Sequence, residues 1–296
     1  MLVYNYNSRL HKFKDLHDET GGKLKEFDFK YYDCFCGGQD YVIVSTATRH
    51  RNQFNVVQCS ECGTLRINPY MSDASIEKYY KEVYGPVKRR NMTAEALYTR
   101  QSKSAAELFG ILSPHLAKGA KILDFGSGAG GRMEKFQAQG YDVHLQDHDK
   151  NYLDYGLKKG MQAFAPDQRY DMVVLSHVVE HINEPVGFLK YIGGLLNNGG
   201  KIYIEVPMIE NSRALLGDFH LAHKFYFTHE SLCHLVEMAG FKKIADSHNG
   251  ILVVKGAPDI KTPLRAAKRK SDAKLRDSRR KGLRTKLKML FKPKHR

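Results

Sequence analysis

Residues 119–258 are predicted to form an α/β domain on a mainly parallel sheet covered by helices on both faces. Three observations predict it. Short apolar strands alternate with helical periods, as a doubly wound sheet requires. The first strand, Lys121-Ile122-Leu123-Asp124-Phe125, runs into a glycine turn, Gly126-Ser127-Gly128-Ala129-Gly130-Gly131, that opens a helix. An acid, Asp147, closes the second strand 23 residues after Asp124.

The elements follow in order. Residues 1–30 are polar and show no period. Residues 31–72 hold two cysteine pairs separated by the strand-like runs YVIVSTAT and FNVVQ. Residues 73–118 form a helical connector: SIEKYYKEVY, then one long helix TAEALYTRQSKSAAELFGILSPHL with the stripe Leu97, Ala105, Leu108, Ile111 and Leu112. Within 119–258 the strands are KILDF, DVHLQD, DMVVLS, KIYIEVP, FKKIADS and GILVVKG, with helices around 131–139, 151–160, 185–196 and 230–239. Residues 259–296 form a basic tail. There Leu283, Leu287, Leu290 and Phe291 fall at helical spacing among Arg279, Arg280, Lys281, Arg284, Lys286, Lys288 and Lys292, which predicts a helix with a small apolar face and a cationic rim.

Charge and cysteine usage narrow the class. The net charge of +15 is concentrated in residues 261–296, where 16 Lys/Arg face only Asp272 and Asp277, so the body is nearly neutral. No apolar run approaches the roughly 18 residues of a membrane span. The N-terminus shows no signal-peptide core, so the reading is a cytoplasmic protein. In a reducing compartment the pairs Cys34/Cys36 and Cys59/Cys62 point to metal before disulfide, while Cys233 stands alone in a helical pattern.

The glycines alone are ambiguous, because Gly126, Gly128 and Gly131 also satisfy a dinucleotide fingerprint. Asp124 breaks the tie. An acid there would repel a pyrophosphate and suits a cation, such as the amino end of a methionine moiety. The segment resembles motif I of the class I S-adenosylmethionine-dependent methyltransferases. The stretch Tyr170-Asp171-Met172-Val173-Val174-Leu175-Ser176-His177-Val178-Val179-Glu180-His181, then Glu184-Pro185, Asn198-Gly199-Gly200 and Val206-Pro207, is similar to that family's later motifs. So is His223 with Phe227-Thr228, Ser231-Leu232 and Ala239-Gly240-Phe241.

The resemblance covers about 31–258 and implies a Rossmann-like methyltransferase domain binding S-adenosyl-L-methionine. It implies a cofactor site of Asp124, Phe125, Gly126, Ser127, Gly128, Gly130, Asp147, His148, Ser176 and His177. Asp147 would hydrogen-bond the ribose hydroxyls, with Asp149 close enough to compete. His177, His181 and His223 are candidate general bases, since an imidazole accepts a proton near neutral pH. His181 and His223 rank ahead of His177, which would be pinned against the cofactor. Aligning an acceptor against an already activated methyl can supply much of the acceleration without a base.

The cysteine pairs, Cys34-Phe35-Cys36-Gly37-Gly38 and Cys59-Ser60-Glu61-Cys62-Gly63, look like two knuckles of a zinc ribbon, the first with a shorter bite than usual. With Leu65, Asn68-Pro69, Tyr79-Tyr80 and Tyr84 they resemble the zinc-binding module ahead of bacterial sugar and polysaccharide methyltransferases. That implies a structural Zn2+ on Cys34, Cys36, Cys59 and Cys62, because four thiolates leave no open coordination site. The resulting expectation is O-methylation of a sugar hydroxyl in a surface polysaccharide or its nucleotide- or lipid-linked precursor. Residues 261–296 would meet an anionic membrane or membrane-bound polysaccharide enzymes, making the protein peripheral on the inner face of the cytoplasmic membrane. The rival readings are an RNA methyltransferase with the tail as its arm, and a non-catalytic membrane-tethered scaffold. With Phe291 the only aromatic in the tail, stacking on single-stranded nucleic acid is disfavoured.

Overall fold

The computed structural model describes residues 26–46, 54–84, 92–212, 218–257 and 264–290, with backbone alone at Tyr84, Leu264 and 282–290. The N-terminal extension through residue 25, Phe291 and Lys292 lie outside the described residues. So do the side chains of Leu283, Arg284, Lys286, Leu287, Lys288 and Leu290.

The strands are β1 (Phe29–Lys30), β2 (Tyr41–Ser45), β3 (Val56–Cys59), β4 (Leu65–Ile67), β5 (Tyr70–Met71), β6 (Lys121–Phe125), β7 (Asp142–Gln146), β8 (Gln162–Ala163), β9 (Tyr170–Ser176), β10 (Leu196–Glu205), β11 (Phe225–Tyr226), β12 (Phe241–Asp246) and β13 (Gly250–Lys255). The α-helices are α1 (Asp73–Tyr79), α2 (Ala94–Ser102), α3 (Ala105–Leu112), α4 (Glu134–Ala138), α5 (Lys150–Lys158), α6 (Pro185–Gly194), α7 (His229–Met238) and α8 (Leu264–Leu290). They belong to two compact units, one of residues 1–76, 207–232 and 262–296, the other of 77–206 and 233–261.

The first unit is built on an antiparallel sheet in the order β11-β4-β3-β2, with β1 and β5 paired separately. Phe54, Val56, Val57, Leu65, Ile67 and Tyr70 are buried in it. The sequence reading set the tail apart, yet α8 packs within this unit. Ala267, Ser271, Leu275 and Ser278 recur at helical spacing and are buried. Small residues let the backbones approach closely: a Cβ on Gly63 would meet Lys268 Cα at 2.3 Å. Lys268 Nζ donates to Ser60 O at 2.9 Å and Gln58 Nε2 to Asp272 Oδ1 at 2.9 Å. Lys274 Nζ donates to Glu210 O at 2.8 Å, and Lys270 pairs with Glu230. This face carries too few apolar side chains to register as a hydrophobic stripe, so sequence periodicity passes over it.

The second unit carries the seven-stranded sheet, ordered β12-β13-β10-β9-β6-β7-β8. Strands β6 to β10 run parallel; β13 is antiparallel to β10, and β12 to β13. Alternation sends Ile122, Val143, Leu145, Met172 and Val174 into a core with Leu97, Leu108 and Leu112. Leu123, Val173 and Leu175 point the other way and are equally buried, and Phe125 meets Phe188 of α6 edge-on at 5.5 Å. The long helix predicted across 93–116 is two helices. Ser102 Oγ bonds to Tyr98 O and Ser104 Oγ to Gln101 O, the local side-chain bonding that competes with a helix. The run SIEKYYKEVY forms α1 followed by a π-helical turn, Tyr80–Tyr84.

Candidate functional site

The strand order reverses between β6 and β9, and ligands in such sheets bind beyond the strand C-termini at that switch. A cavity of about 510 Å³ lies there, lined in part by Asp124, Gly126, Ser127, Gly128, Asp147, Ser176 and His177. Its size suits a small-molecule site, about 300–1,000 Å³. Phe125, Gly130 and His148 are not among its lining residues. Phe125 packs against Phe188, His148 is exposed, and a Cβ on Gly130 would meet Leu145 Cδ1 at 2.7 Å, so that glycine serves the core.

The glycine turn is fixed by contacts the sequence did not announce. Gln101 of α2 donates Nε2 to Ser127 O at 2.9 Å, while its Oε1 accepts from Ala129 N at 3.2 Å and Gly131 N at 3.3 Å. Those amides would seat a pyrophosphate in a dinucleotide fold; here a neutral oxygen already occupies them. Asp147 accepts Gly128 N at 2.7 Å through Oδ2 and Asp149 N at 2.8 Å through Oδ1. Of the two acids, Asp149 caps α5 by accepting Asn151 N, and Asp147 faces the cavity.

The floor of the cavity is acidic. Asp124 is buried, and burial, with the charges of Asp147 and Glu205 added against that of Arg132, pushes its carboxyl up to about 7. Arg132, just past the glycine turn, reaches Ser176 Oγ and Glu205 Oε2, each at 2.8 Å. Its buried Nε has no partner among the described residues. Tyr203 Oη joins Glu205 Oε2 at 3.3 Å and Ser247 Oγ at 2.9 Å. With Glu107 and Arg100 also in the lining, four carboxyl groups face two guanidiniums, an excess that favours a cationic ligand. The sequence held a trace of this: Glu205 ends β10 directly opposite Ser176. It held none of Gln101, whose partners lie 26–30 residues away.

His177 has left-handed backbone, φ 56°, which is costly for a residue with a Cβ and recurs at functional sites. Its Nδ1 lies 3.3 Å from Oε1 of the buried Glu180. The Glu180 carboxylate beside it outweighs burial and raises the imidazole above its usual range. His181 does not line the cavity; its Nδ1 meets Tyr80 Oη at 2.7 Å. His223 belongs to the first unit, its ring centroid 3.9 Å from that of His220.

In the first unit, Cys34, Cys36, Cys59 and Cys62 converge with all four Sγ within 4.8 Å of one another. Cys34–Cys62 and Cys36–Cys59 are 3.5 and 3.6 Å apart. Zn–S bonds near 2.3 Å in a tetrahedron require Sγ–Sγ edges of about 3.8 Å. Gly38 is needed at the first knuckle, since a Cβ there would meet Cys59 Sγ at 2.9 Å. The donor set and its spacing fit a tetrahedral dication.

Fold and cavity together define a class I S-adenosylmethionine-dependent methyltransferase domain. A family described as "Methyltransferase domain" matches residues 97–246, and the chain belongs to it. The chain is 28% identical over 151 residues to the ubiquinone biosynthesis O-methyltransferase of Aeromonas salmonicida (strain A449), 41% of this chain. It spans 63% of the length of that curated relative. Among solved structures, 1,6-didemethyltoxoflavin-N1-methyltransferase of Burkholderia thailandensis, with bound S-adenosylhomocysteine, matches 65% of this chain and 95% of its own. The identity is 18% and the TM-score 0.48. Magnesium protoporphyrin IX methyltransferase of Synechocystis PCC 6803 matches 62% of this chain and 100% of its own, at 12% identity and TM-score 0.47. No helix among the described residues is long and apolar enough to cross a membrane.

Proposed function

We propose that this protein transfers a methyl group from S-adenosylmethionine to a sugar hydroxyl, in a surface polysaccharide or in its nucleotide- or lipid-linked precursor. The observation that carries the hydroxyl chemistry is His177 on the cavity wall, 3.3 Å from the buried Glu180 carboxylate. With the Glu180 carboxylate 3.3 Å from Nδ1, the proton is favoured on that nitrogen and Nε2 would serve as the basic one. Nε2 takes the acceptor's hydroxyl proton as the oxygen bonds to the methyl carbon, and the half-exposed imidazolium then releases it to solvent. When bound, S-adenosylmethionine supplies an electrophilic methyl on a cationic sulfur. Asp124 would hold its ammonium, Asp147 its ribose hydroxyls, and Arg132 Nε would offer a donor to its carboxylate. Arg100, Ser104, Glu107, His248 and Asn249 add polar groups to the cavity lining, which suits a polyhydroxyl acceptor. The sugar class itself rests on the resemblance of the cysteine module and its following motifs.

The experiment is transfer of labelled methyl to nucleotide sugars, lipid-linked glycans and total RNA, with wild type and His177→Gln. Labelled glycan, with turnover lost and cofactor affinity kept in the variant, supports the reading. Labelled RNA alone moves it to the RNA methyltransferase. No acceptor labelled despite cofactor binding leaves the scaffold reading.

The four cysteines hold one structural zinc per chain on this reading, and Cys59→Ser abolishes it; metal analysis of protein purified without added zinc is the check. The exposed face of α8 supplies the membrane contact. Arg265, Arg269, Arg276 and Arg280 line it, and none pairs with a carboxylate among the described residues. They extend the docking surface well ahead of the Leu283–Phe291 segment.

A further inference from the structure

We propose that Arg66 is the internal counter-charge of the cysteine cluster, so that its guanidinium sets the affinity of Cys34, Cys36, Cys59 and Cys62 for zinc. The inference rests on the zinc reading above.

Arg66 sits in the middle of β4 and is fully buried. Among the described residues its Nε and Nη1 have no hydrogen-bond partner, and Nη2 reaches only Tyr32 O, at 3.4 Å. The guanidinium lies over the Tyr41 ring, 5.6 Å from its centroid. An arginine cannot shed its proton to relieve burial. A buried charge without a partner is strongly destabilising, and no carboxylate pairs with this one among the described residues. An anion must therefore stand near it.

The sheet register supplies that anion. Arg66 pairs with Val57 on one side and Phe225 on the other, while Cys59 pairs with Tyr41. Residues two apart on a strand share a face, so Arg66 and Cys59 are diagonal neighbours on one face, at about 7–8 Å between backbones. Tyr32, which receives Nη2, precedes Cys34 by two residues. A second fully buried cation converges on the same residue: Lys224 Nζ lies 3.5 Å from the centroid of the Tyr32 ring. Four thiolates around Zn2+ carry two net negative charges, and the Arg66 guanidinium offsets part of them. Without the dianionic metal-bound cluster Arg66 is left uncompensated, so the buried arginine favours the zinc-loaded state.

The test is zinc competition against a chromogenic chelator on the full chain, with wild type, Arg66→Met and Arg66→Lys, alongside thermal unfolding with and without chelator. Arg66→Met is expected to weaken zinc binding by about 10- to 100-fold, as loss of an outer-shell partner does. Arg66→Lys restores most of it. The zinc-free Arg66→Met protein is at least as stable as zinc-free wild type, because the uncompensated cation is gone. A merely structural arginine would lower stability in both states, and that result overturns the inference, as does equal zinc affinity. If Arg66→Met does not fold, Arg66→Lys decides: zinc held at wild-type strength supports the charge argument, and weak binding rejects it. Wild type that binds no zinc at all would instead remove the zinc reading beneath it.

Discussion

Gln101 is the residue whose removal tests the site most directly. It joins α2 to the glycine turn through three hydrogen bonds, one donated to Ser127 O and two accepted from Ala129 N and Gly131 N. Each neutral bond contributes a net ~0.5–1.5 kcal/mol, so the three together stabilise the turn by ~2–4 kcal/mol. Water from the adjoining cavity can satisfy part of what Gln101→Ala leaves open, which reduces the expected cost to ~1–3 kcal/mol. Because Ser127 and Gly128 also line the cavity, the loss should appear in ligand affinity. At 1.4 kcal/mol per decade, S-adenosylhomocysteine should bind about 10- to 100-fold more weakly. Titration calorimetry measures this, and circular dichroism checks that the unit remains folded. Gln101→Glu should be nearly as harmful, because it keeps an acceptor for the amides but loses the donor to Ser127. Affinity within twofold of wild type in Gln101→Ala would refute the claim that this side chain shapes the turn.

The remaining predictions concern charge and strain. Asp124 titrates near 7 in the fold against an ordinary 3.8, so its burial penalty is absent below pH ~4, grows as pH rises, and is complete above ~7. Asp124→Asn should therefore be more stable than wild type at pH 8 and no different at pH 4, by thermal unfolding. The same carboxylate should make wild type bind the cationic cofactor up to about tenfold more tightly at pH 8 than at pH 6, with the dependence gone in Asp124→Asn. His177→Asn keeps a residue that tolerates left-handed backbone but removes the imidazole beside the buried Glu180, so it should unfold earlier than wild type, while turnover falls by about 10²-fold; full turnover would show that alignment alone suffices. Replacing Arg265, Arg269, Arg276 and Arg280 with Gln should cost about 1 kcal/mol each in binding to anionic vesicles at low salt and leave the unfolding temperature unchanged. Stronger retention of RNA than of vesicles by the wild-type chain would reject the membrane contact.

The sequence by itself determined the sheet and where its ligand cavity would be. A five-residue strand, Lys121–Phe125, carrying Asp124 just before a glycine turn needs no distant partner to be recognised, and neither do the short apolar runs that became β9, β10 and β13. Local chemistry also marked the cysteine knuckles, because glycine-bearing turns leave their signature within a few residues. Tertiary structure decided the rest, wherever the partner was remote in the chain. It gave the turn amides to Gln101, separated Asp147 from Asp149, and paired Arg132 with Glu205 across 73 residues. It put His177 beside a buried carboxylate on the cavity wall and tied His181 to Tyr80. The tail shows the limit most plainly. Its charge was legible at once, but its buried face is Ala267, Ser271, Leu275 and Ser278, mostly small residues, and such a face has meaning only when a backbone such as that at Gly63 is close enough to need it. Periodicity reports what a segment avoids exposing to water; the particular surface it packs against is fixed only when the chain folds back on itself.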